Sequence, residues 1–285
     1  MVKALCYGSL NPDLIHRVTR LPVPGDDLLS EGWEMLYGGG AGNAAVALAT
    51  WEADTVLIGH ALGSDPMGAW LLETMARPHL DLREVRQDPA VRTPHCVVMI
   101  TSDGDRTILS TGYEDARWQD VPERSWDGIE VALIDGYSAG AGAVVATEAG
   151  RRGIPVVGLD AGEATAGVSS LVVWSRHEHP DEEDAIDLAA EGHPVILTGG
   201  SGDVTMWWGD RTYRTVPPQV TPVDGTGSGD VFAAMCAYGL AAAWPPEEVL
   251  RMATAAGALL AGRGRAAGVP TLVEITASAA ALEVR

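Results

Sequence analysis

The sequence predicts an α/β fold, a doubly wound and mostly parallel sheet flanked by helices, with a small lid of β-strands added to it. From residue 131 onward, short apolar runs alternate with helical patterns, which is typical of a parallel sheet with helices on both faces. The apolar first run, Val2–Tyr7, predicts a buried strand. Strand-like segments near residues 13–37 and 90–112 precede this alternation, and we expect them to form a small separate sheet over the site. We expect residues 1–285 to form a single domain of this kind.

The composition excludes some classes of function. The chain has 285 residues, of which 19 are basic and 39 acidic, and its formal net charge is −20. A chain with this excess of negative charge lacks the positive surface that would neutralise the phosphates of a nucleic acid, so we do not expect a nucleic-acid partner. The three cysteines, Cys6, Cys96 and Cys236, are scattered without C-x-x-C spacing. We expect them to be small buried residues in a reducing cytosol.

No segment of the sequence predicts secretion or membrane insertion. The start, MVKALCYGSL, is too short and too soon broken for a signal peptide. The longest apolar stretch, Val231–Trp244, is shorter than a membrane span. We therefore expect a cytoplasmic protein that acts on a small molecule and has no membrane partner.

The segment after the first strand carries two polar side chains suited to a ligand. Asn11 and Asp13 lie just past the carboxyl end of this strand, where open α/β sheets place ligands. A carboxylate that accepts two hydroxyl groups, beside an amide that can donate and accept, suits a sugar or polyol. Because Asn-Pro-Asp is also ordinary turn chemistry, a purely structural turn is the alternative.

A glycine-rich segment leads into the first predicted helix. After two short strands, Leu14–Thr19 and Leu28–Tyr37, the run Gly38–Asn43 precedes small apolar residues that predict a helix. Glycines here would let a ligand touch the backbone, and Asn43 could bond either a ligand or the helix end. The chain contains only two asparagines, Asn11 and Asn43, and both lie in glycine-flanked segments. Their placement favours a functional role.

The next part of the chain predicts a strand, a helix and a hairpin. Thr55–Gly59 is the strand, and the loop after it opens a helix. Val91–Ile100 and Thr107–Ser110 flank a turn at residues 102–105, which is a good hairpin signal. Together with the earlier pair of short strands, this hairpin would form a small separate sheet over the site.

Strands and helices alternate through the rest of the chain, and two further helices end it. The predicted strands are Val131–Ile134, Val156–Leu159, Leu171–Trp174, Val195–Leu197 and Met206–Trp208. The predicted helices are Ala141–Glu148, Glu182–Ala190, Glu247–Ala261 and Leu272–Ala281.

The most informative segment is Val223–Leu240, in which three glycines and two carboxylates precede an apolar run. The spacing of the apolar residues predicts a helix that begins near Asp230. A glycine-rich turn before a helix presents free N–H groups and the positive end of the helix dipole, which suits phosphate. A carboxylate beside such a site makes sense if it takes a proton from a hydroxyl that attacks phosphorus. The alternative is a flexible glycine loop with Asp230 as a helix cap.

Spacing excludes three other interpretations of this segment. A Walker A loop ends in Gly-Lys-Ser/Thr, whereas the only lysine of the chain is Lys3. A dinucleotide fingerprint needs G-x-G-x-x-G after a strand, and this segment has G-x-G-x-G. An EF-hand that began at Asp224 would place Met235 at its twelfth position, and methionine does not bind calcium.

Two signatures in the sequence resemble those of the PfkB, or ribokinase-like, family of sugar kinases. Gly38–Asn43 with the two alanines after it looks like the family's amino-terminal glycine signature. Asp224–Asp230, followed by Val231 and Phe232, looks like its carboxy-terminal signature, usually D-T-x-G-A-G-D-x-F. The resemblance covers nearly the whole chain and implies a parallel sheet flanked by helices, with a lid of short strands.

The resemblance also implies an activity and the residues that carry it. It implies ATP-dependent phosphorylation of a hydroxyl, with Asp230 as the base and Gly227, Ser228 and Gly229 as the hole for the transferred phosphoryl group. The implied substrate-binding residues are Asn11, Asp13, Gly39 and Asn43, and Gly40, Tyr137 and Arg106 are further candidates for the same site. The implied nucleotide-binding residues are Ser175, Thr198, Gly200, Gly225, Gly227, Gly229 and Thr254. The implied metal residues are Glu178 for Mg²⁺, through water, and Asp224 for a monovalent cation such as K⁺.

The sequence departs from the family pattern at three positions. The N-x-x-E motif, which helps to organise magnesium in the family, appears here with Ser175 in place of the asparagine. Gly40 stands where ribokinases often carry lysine. Tyr137 falls where some relatives place an acidic sugar ligand, so we expect it to form a wall of the pocket instead.

The sequence leaves the acceptor open. A neutral sugar or polyol fits the two polar residues after the first strand, whereas a phosphosugar or sugar acid would need arginine, for which Arg92 and Arg106 are candidates. A nucleoside could stack on Tyr137 or Trp33. A non-catalytic sugar or nucleotide sensor on the same fold is a further alternative, although such a protein would be expected to lack Asp230. The family resemblance also implies a homodimer formed through the lid, by pairing of sheet edges.

Overall fold

The computed structural model describes residues 1–101, 106–221 and 223–285. The predicted turn at residues 102–105 lies outside the described residues. The described strands form a nine-stranded sheet, a four-stranded sheet and a two-stranded pair. They are β1 Lys3–Gly8, β2 Asn11–Val18, β3 Gly32–Gly38, β4 Asp54–Gly59, β5 Leu62–Gly63, β6 Leu80–Asp81, β7 Gln87–Asp88, β8 His95–Thr101, β9 Arg106–Thr111, β10 Val131–Asp135, β11 Val156–Leu159, β12 Leu171–Ser175, β13 Val195–Thr198, β14 Val204–Trp208 and β15 Arg211–Thr215.

The helices lie mainly on the large sheet. In the part of the chain that the structure describes, no helix is long and apolar enough to span a membrane. The helices are α1 Gly40–Thr50, α2 Pro66–Met75, α3 Ala139–Arg151, α4 Glu163–Ala166, α5 Glu182–Ala190, α6 Ser228–Ala241, α7 Pro246–Arg263 and α8 Leu272–Ala279.

The nine-stranded sheet has the order β15-β14-β13-β12-β11-β10-β1-β4-β6. Strands from β13 through β6 pair in parallel, whereas β14 and β15 are antiparallel to their neighbours. This arrangement confirms the predicted α/β fold with a mostly parallel sheet. β15 was not predicted from the sequence, because its residues RTYRT are largely exposed at the sheet edge and show no apolar run.

Alternate residues of the central strands face two different helical layers. In β1, Ala4 and Cys6 pack into the core that contains α1, α2, α6, α7 and α8. Leu5 and Tyr7 pack on the other face, against α3. Side chains alternate between the two faces of a sheet, so a strand covered on both faces is apolar throughout.

Two helices at the centre of one layer, α1 and α6, are buried on nearly every side. Gly40–Ala49 in α1 and Val231–Ala237 in α6 are buried, and the two helices pack against each other. Their alanines and glycines allow the helix axes to approach closely. A hydrogen bond from Asn43 to Asp230 joins their first turns. The N-termini of α1 and α6 therefore lie side by side.

The four-stranded sheet has the order β3-β2-β8-β9 and is built from the two segments that were predicted to form the lid. β2 pairs antiparallel with β3 and parallel with β8, and β8 pairs antiparallel with β9. In this sheet the structure differs from the prediction at the start of β2. Asn11 and Asp13 belong to β2 rather than to a turn, because β2 pairs with β3 from residue 11 onward.

Both helices that follow the glycine-rich segments begin earlier than predicted. α1 begins at Gly40 rather than after Asn43, and α6 begins at Ser228 rather than near Asp230. Glycine has a low helix propensity, so the sequence favours later starts. Packing of the first turns against the rest of the fold overrides that preference.

Candidate active site

The carboxyl ends of β1 and β10 meet the first turns of α1 and α6 in one crevice. β1 lies between β10 and β4. The strands of this sheet that come next in the chain are added on one side of β1, and the strands from β10 onward are added on its other side. Such reversals of strand order leave a crevice outside the strand ends, which is where ligands bind in open α/β sheets. Hydrogen bonds at this point link residues of β10, α1 and α6 with Ser9, which directly follows β1.

A buried carboxylate that the sequence analysis missed, Asp135, holds the crevice together. Its Oδ2 accepts hydrogen bonds from the Ser9 N–H at 2.7 Å, the Ser9 hydroxyl at 2.6 Å and the Ala41 N–H at 3.1 Å. Its Oδ1 accepts the Ser138 N–H at 3.2 Å. Burial raises the pKa of Asp135, and these hydrogen bonds oppose the rise because they stabilise the charged form. Asp135 thereby ties β10 to the end of β1 and to the start of α1.

Asp230 lies in the first turn of α6, and its carboxyl group faces α1. Its Oδ2 accepts a hydrogen bond from Asn43 Nδ2 at 2.7 Å. Burial raises the pKa of Asp230 to about 7; the hydrogen bond from Asn43 and the charge of Arg265 oppose the rise, and the charges of Asp160 and Asp135 add to it. A carboxyl group with this pKa gains and loses its proton near neutral pH, as a general base must.

The turn before α6 is shaped to present backbone N–H groups. Gly227 is left-handed, with φ of 81°, and a β-carbon there would lie 2.9 Å from Cδ of Arg265, so only glycine fits. The N–H and hydroxyl of Ser228 both donate to the Gly225 carbonyl, at 3.2 and 2.7 Å. Ser228 therefore stabilises the turn. The next two N–H groups, of Gly229 and Asp230, precede the first N–H that bonds to a carbonyl of this helix start, that of Val231 to the Gly227 carbonyl at 3.0 Å. They are therefore suited to an anion.

Asn11 and Asp13 lie side by side at the start of β2, and both are buried. Asn11 Nδ2 donates to Asp13 Oδ1 at 2.6 Å, and the Tyr113 hydroxyl donates to Asn11 Oδ1 at 2.6 Å. The Tyr113 ring contacts the rings of His60 and Tyr137, with centroids 5.4 and 6.4 Å away. The amide and carboxylate expected to bind hydroxyl groups are thus held in one geometry.

The positive charge beside Asp13 comes from Arg265, in a short 3₁₀ turn after α7. Its Nη1 lies 2.7 Å from Asp13 Oδ2 and donates to the Tyr37 carbonyl at 3.0 Å. Its Nε lies 4.0 Å from Asp224 Oδ2. The Arg265 side chain is buried, while its Nε and Nη2 have no hydrogen-bond partner. One guanidinium therefore lies between the carboxylate of β2 and that of the turn before α6.

Three other residues predicted for the acceptor lie at the same end of the large sheet. Gly39 precedes α1 in a left-handed conformation, with φ of 84°, and the Gly40 N–H donates to the Ser9 hydroxyl at 2.9 Å. Tyr137 lies in a 3₁₀ turn directly after β10, and 71% of it is exposed. Tyr137 is placed to form an open wall of the crevice rather than a buried ligand.

One arginine of the small sheet reaches the turn before α6. Arg106 begins β9, and its Nη1 lies 3.5 Å from the position that a β-carbon on Gly225 would occupy. The small sheet and the turn are therefore close neighbours at this point. Arg92 and Trp33, the other lid residues considered for the acceptor, are exposed, on the loop before β8 and on β3.

Two of the seven residues predicted to border the nucleotide lie on neighbouring strand ends. Ser175 and Thr198 end β12 and β13 and pair with each other in the sheet. The Ser175 N–H donates to Asp160 Oδ1 at 3.0 Å, and Gly200 turns the chain with φ of 64°. Thr254 is buried in α7, and its hydroxyl has no hydrogen-bond partner. The carboxyl ends of β12 and β13 therefore lie side by side next to the crevice, at the edge of the sheet where nucleotides bind in such folds.

Two carboxylates next to these strand ends suit Mg²⁺. Burial raises the pKa of Asp160 to about 6, and the nearby charges of Glu178 and Asp135 add to the rise. Mg²⁺ keeps several waters and is usually held by one or two carboxylates together with substrate phosphates. Asp160 and Glu178 fit that pattern. Among the described residues, no group of three or more His, Cys, Asp or Glu side chains forms a preformed metal cage.

Four side chains of the crevice were missed in the sequence: Asp135, Asp160, Tyr113 and Arg265. Asp135 and Asp160 lie at or just after the carboxyl ends of β10 and β11. The rule that directed attention to Asn11, position after a buried strand, would have found both. Tyr113 and Arg265 come from loops distant in the chain, and no spacing in the sequence connects them with the site.

Comparisons with known proteins agree with the signatures. The model of the pfkB family of carbohydrate kinases matches residues 1–136 and 165–272. An ATP-dependent ribose-1-phosphate kinase from Halopiger xanaduensis is 29% identical over 294 residues, which cover 97% of this chain and 98% of that protein. A solved ribokinase from Arabidopsis thaliana, complexed with ribose and ATP, superposes with a TM-score of 0.79 at 22% identity and covers 98% of each chain. A ribokinase from Thermotoga maritima gives 0.81 at 19% identity, over 97% of this chain and 98% of that one.

The family match includes both glycine signatures, Gly38–Asn43 and Asp224–Asp230, which the structure brings together at the first turns of α1 and α6. The solved structures, at this level of identity, add the fold. The match to the family model extends over most of the chain. The chain therefore belongs to the pfkB family of carbohydrate kinases, which are ATP-dependent phosphotransferases with an alcohol group as acceptor.

Proposed function

We propose that this kinase transfers the γ-phosphoryl group of ATP to a hydroxyl of a small sugar, with Asp230 as the general base. The observation that carries the proposal is the position of Asp230. Its carboxyl group, with a pKa of about 7, lies at the N-terminus of α6 and is oriented by Asn43. A hydroxyl held near it can lose its proton to Asp230 as the oxygen attacks phosphorus.

The surrounding residues supply the other requirements of phosphoryl transfer. Asn11 and Asp13 would hold the acceptor, and the free N–H groups of Gly229 and Asp230 would stabilise the charge on the transferred group. Asp160 and Glu178 would hold Mg²⁺ through water, and that ion supplies charge neutralisation on the phosphates. The small sheet would cover the acceptor and exclude water, which would otherwise consume ATP.

The decisive experiment is the substitution Asp230→Asn, assayed by ADP release and by ATP binding. We expect turnover to fall by roughly 10²- to 10⁴-fold, the range for loss of a general base. ATP affinity should stay close to that of the wild type, because Asp230 contacts the acceptor side. Asp210→Asn, in an exposed turn, is the matched control. Near-normal turnover of Asp230→Asn would sink the assignment, and acceptor binding without ADP release in the wild type would identify a sensor instead.

The acceptor we propose is a neutral pentose of the ribose type. The buried Asn11–Asp13 pair can bond adjacent hydroxyl groups, and the names of the relatives reported above mention ribose or ribose 1-phosphate. ADP release with ribose, ribose 1-phosphate, fructose, a sugar acid and a nucleoside at equal concentrations tests this choice. The highest kcat/KM should be found with ribose, and a higher value with ribose 1-phosphate would favour a phosphorylated acceptor instead.

A phosphorylated sugar is the second candidate, and Arg106 is the observation that favours it. Its guanidinium reaches the turn at Gly225, where it could pair with an acceptor phosphate. If so, Arg106→Ala should raise KM for ribose 1-phosphate by about tenfold or more and leave KM for ribose unchanged. Arg92→Ala, which removes an exposed arginine before β8, is the control. Equal effects of Arg106→Ala on both sugars would contradict this candidate.

A homodimer through the small sheet completes the proposal. All residues of β9, which forms one of the two edges of that sheet, are exposed, including Ile108 and Leu109. An exposed edge strand with apolar side chains is suited to pairing with another chain.

A further inference from the structure

One buried cation lies among the acids of the crevice. Arg265, which is 6% exposed, is the only lysine or arginine of the described residues that is buried. Asp13 and Asp224 beside it are buried as well. Buried carboxylates require compensating charge or hydrogen bonds, because burial removes their solvation by water. Arg265 supplies that charge from within the chain.

The guanidinium of Arg265 spans the two sides of the crevice. Nη1 lies on the acceptor side, 2.7 Å from Asp13 Oδ2, and Nε faces the turn before α6, 4.0 Å from Asp224 Oδ2. Asp224 in turn shapes that turn, because its Oδ1 accepts the Thr226 N–H at 2.9 Å. Arg265 therefore connects the strand proposed to bind the acceptor with the turn proposed to bind the phosphoryl group.

The backbone and the neighbouring residues fix Arg265 in this position. Gly264 and Gly268, with φ of 76° and 86°, border the short turn that carries it. The Arg265 side chain packs under Gly227, and its Nη1 donates to the Tyr37 carbonyl at 3.0 Å. Its charge is thus a built-in part of the crevice rather than the end of a mobile side chain.

These contacts disagree with a monovalent cation at Asp224, which the family resemblance implied. An ion such as K⁺ is held by several oxygen ligands. Here Oδ2 of the Asp224 carboxylate faces a guanidinium instead. A K⁺ ion as close to Asp224 Oδ2 as the Arg265 guanidinium is would be repelled by that guanidinium. The repulsion is strong in a buried crevice, because little water is present to screen the two charges. The residues present do not fit K⁺ at this position.

We propose that Arg265 takes the place of a monovalent cation at Asp224, so that this kinase keeps its phosphoryl-binding turn in shape without K⁺. Arg265 acts as a positioning residue: it neutralises Asp224 and Asp13 and holds the turn against β2. The part of this inference that concerns turnover rests on the proposed kinase activity. The part that concerns ion binding does not.

The first test compares the wild-type protein in KCl, NaCl and choline chloride at equal ionic strength. We expect the three Tm values to agree within about 1 °C, since no site gains an ion, whereas a K⁺ site filled at 100 times its Kd would raise Tm by roughly 5 °C. ADP release should also be the same in all three salts, within about twofold. A K⁺-specific rise in Tm or in turnover of the wild type would overturn the proposal.

The second test removes the guanidinium with Arg265→Ala and so exposes the Asp224 carboxylate. In this variant KCl should raise Tm by several degrees over choline chloride and should restore turnover by about tenfold. The double variant Arg265→Ala/Asp224→Asn should lose the response to K⁺. Arg263→Ala is the matched control, because it removes the same charge from the same part of the chain. In the wild type Arg263 pairs with Glu274, at 2.7 Å, and not with Asp224. This control should show no response to K⁺.

The outcomes separate this proposal from the proposed activity. If Arg265→Ala folds and neither its Tm nor its turnover responds to K⁺, Arg265 is not a substitute for an ion and the proposal is wrong. If that variant does not fold, the wild-type comparison of salts decides alone. If the wild type releases no ADP with any acceptor, the proposed activity fails, while the Tm values still test the ion.

Discussion

At the scale of single residues, the chemistry depends on the protonation of one carboxyl group. Burial and the negative charges of Asp160 and Asp135 place the pKa of Asp230 at about 7, against the opposing effects of Asn43 and Arg265. A base with a much lower pKa would be ionised but too weak to take a proton from an alcohol. The concentration of acids in the crevice therefore has a chemical use in the proposed reaction.

This pKa predicts the pH dependence of activity. Asp230 must be deprotonated to act as a base, so kcat/KM should fall about tenfold per pH unit below about pH 7 and level off above it. Asn43→Ala removes a hydrogen bond that stabilises the carboxylate, so this acidic limb should move to higher pH. The measurement is kcat/KM between about pH 5 and about pH 9 for both proteins. Thr50→Ala, at the other end of α1, is the control, and an acidic limb near the ordinary pKa of aspartate would contradict the assignment.

At the scale of elements, the site is made by two helix starts held against each other. The first turns of α1 and α6 are joined through Asn43 and Asp230, and Asp135 anchors α1 to β1 and β10. The left-handed Gly227 sets the direction in which α6 begins. The geometry of the crevice therefore depends on backbone conformation as much as on side chains.

Two neighbouring glycines of this turn should respond differently to the same substitution. Gly227→Ala places a β-carbon 2.9 Å from Arg265 in a left-handed conformation, so it should lower the free energy of unfolding by roughly 2 kcal/mol. Gly229 is helical, and a β-carbon there has open space around it. Gly229→Ala should leave stability unchanged or raise it by up to about 1 kcal/mol. Urea unfolding measures both.

Turnover separates the two roles of these glycines. Both substitutions should reduce ADP release, Gly227→Ala through distortion of the turn and Gly229→Ala because its methyl group enters the proposed phosphoryl site. Full activity of Gly229→Ala would show that the transferred group does not approach α6 at this point.

At the scale of the whole molecule, one large sheet supports the crevice and a smaller sheet stands beside it. The large sheet is covered on both faces, whereas β9 of the small sheet is exposed along its length. Exposed apolar side chains on an edge strand are a liability unless another chain covers them. The small sheet is therefore the surface on which assembly is expected.

The proposed dimer can be tested at this edge. Light scattering after size exclusion should give a dimer for the wild type and a monomer for Ile108→Glu/Leu109→Glu, because two charges would be buried at the interface. Val273→Glu, at an exposed apolar position on α8, is the control and should remain a dimer. A wild-type monomer at micromolar concentration would contradict the proposal.

The parts of the fold that could be predicted are those with a strong local pattern. The strand Val156–Leu159 and the helix Glu182–Ala190 have the predicted bounds, because apolar runs and helical periodicity are local signals. β15 was missed because a polar edge strand shows no apolar pattern, and the start of β2 because its pairing with β3 is a long-range property.

The site divides in the same way. Asp230 and the glycines before it follow from a local pattern, a glycine-rich turn that leads into a helix. Arg265 and Tyr113 are brought to Asp13 and Asn11 from distant loops, and only the folded chain shows those contacts. Periodicity and spacing describe neighbours along the chain, so they cannot predict which loops meet.

The bond between Asn43 and Asp230 also bears on how the protein is made. These residues are 187 positions apart in the chain, and Tyr37 and its partner Arg265 are 228 apart. A ribosome delivers the acceptor-binding strands first and the base and the guanidinium last, and N-terminal segments fold first during synthesis. If the proposed mechanism is followed, a nascent chain that lacks α6 contains the acceptor-binding residues but cannot transfer a phosphoryl group from ATP. Translation must pass α6 and Arg265 before the base and the guanidinium can join the strands that bind the acceptor.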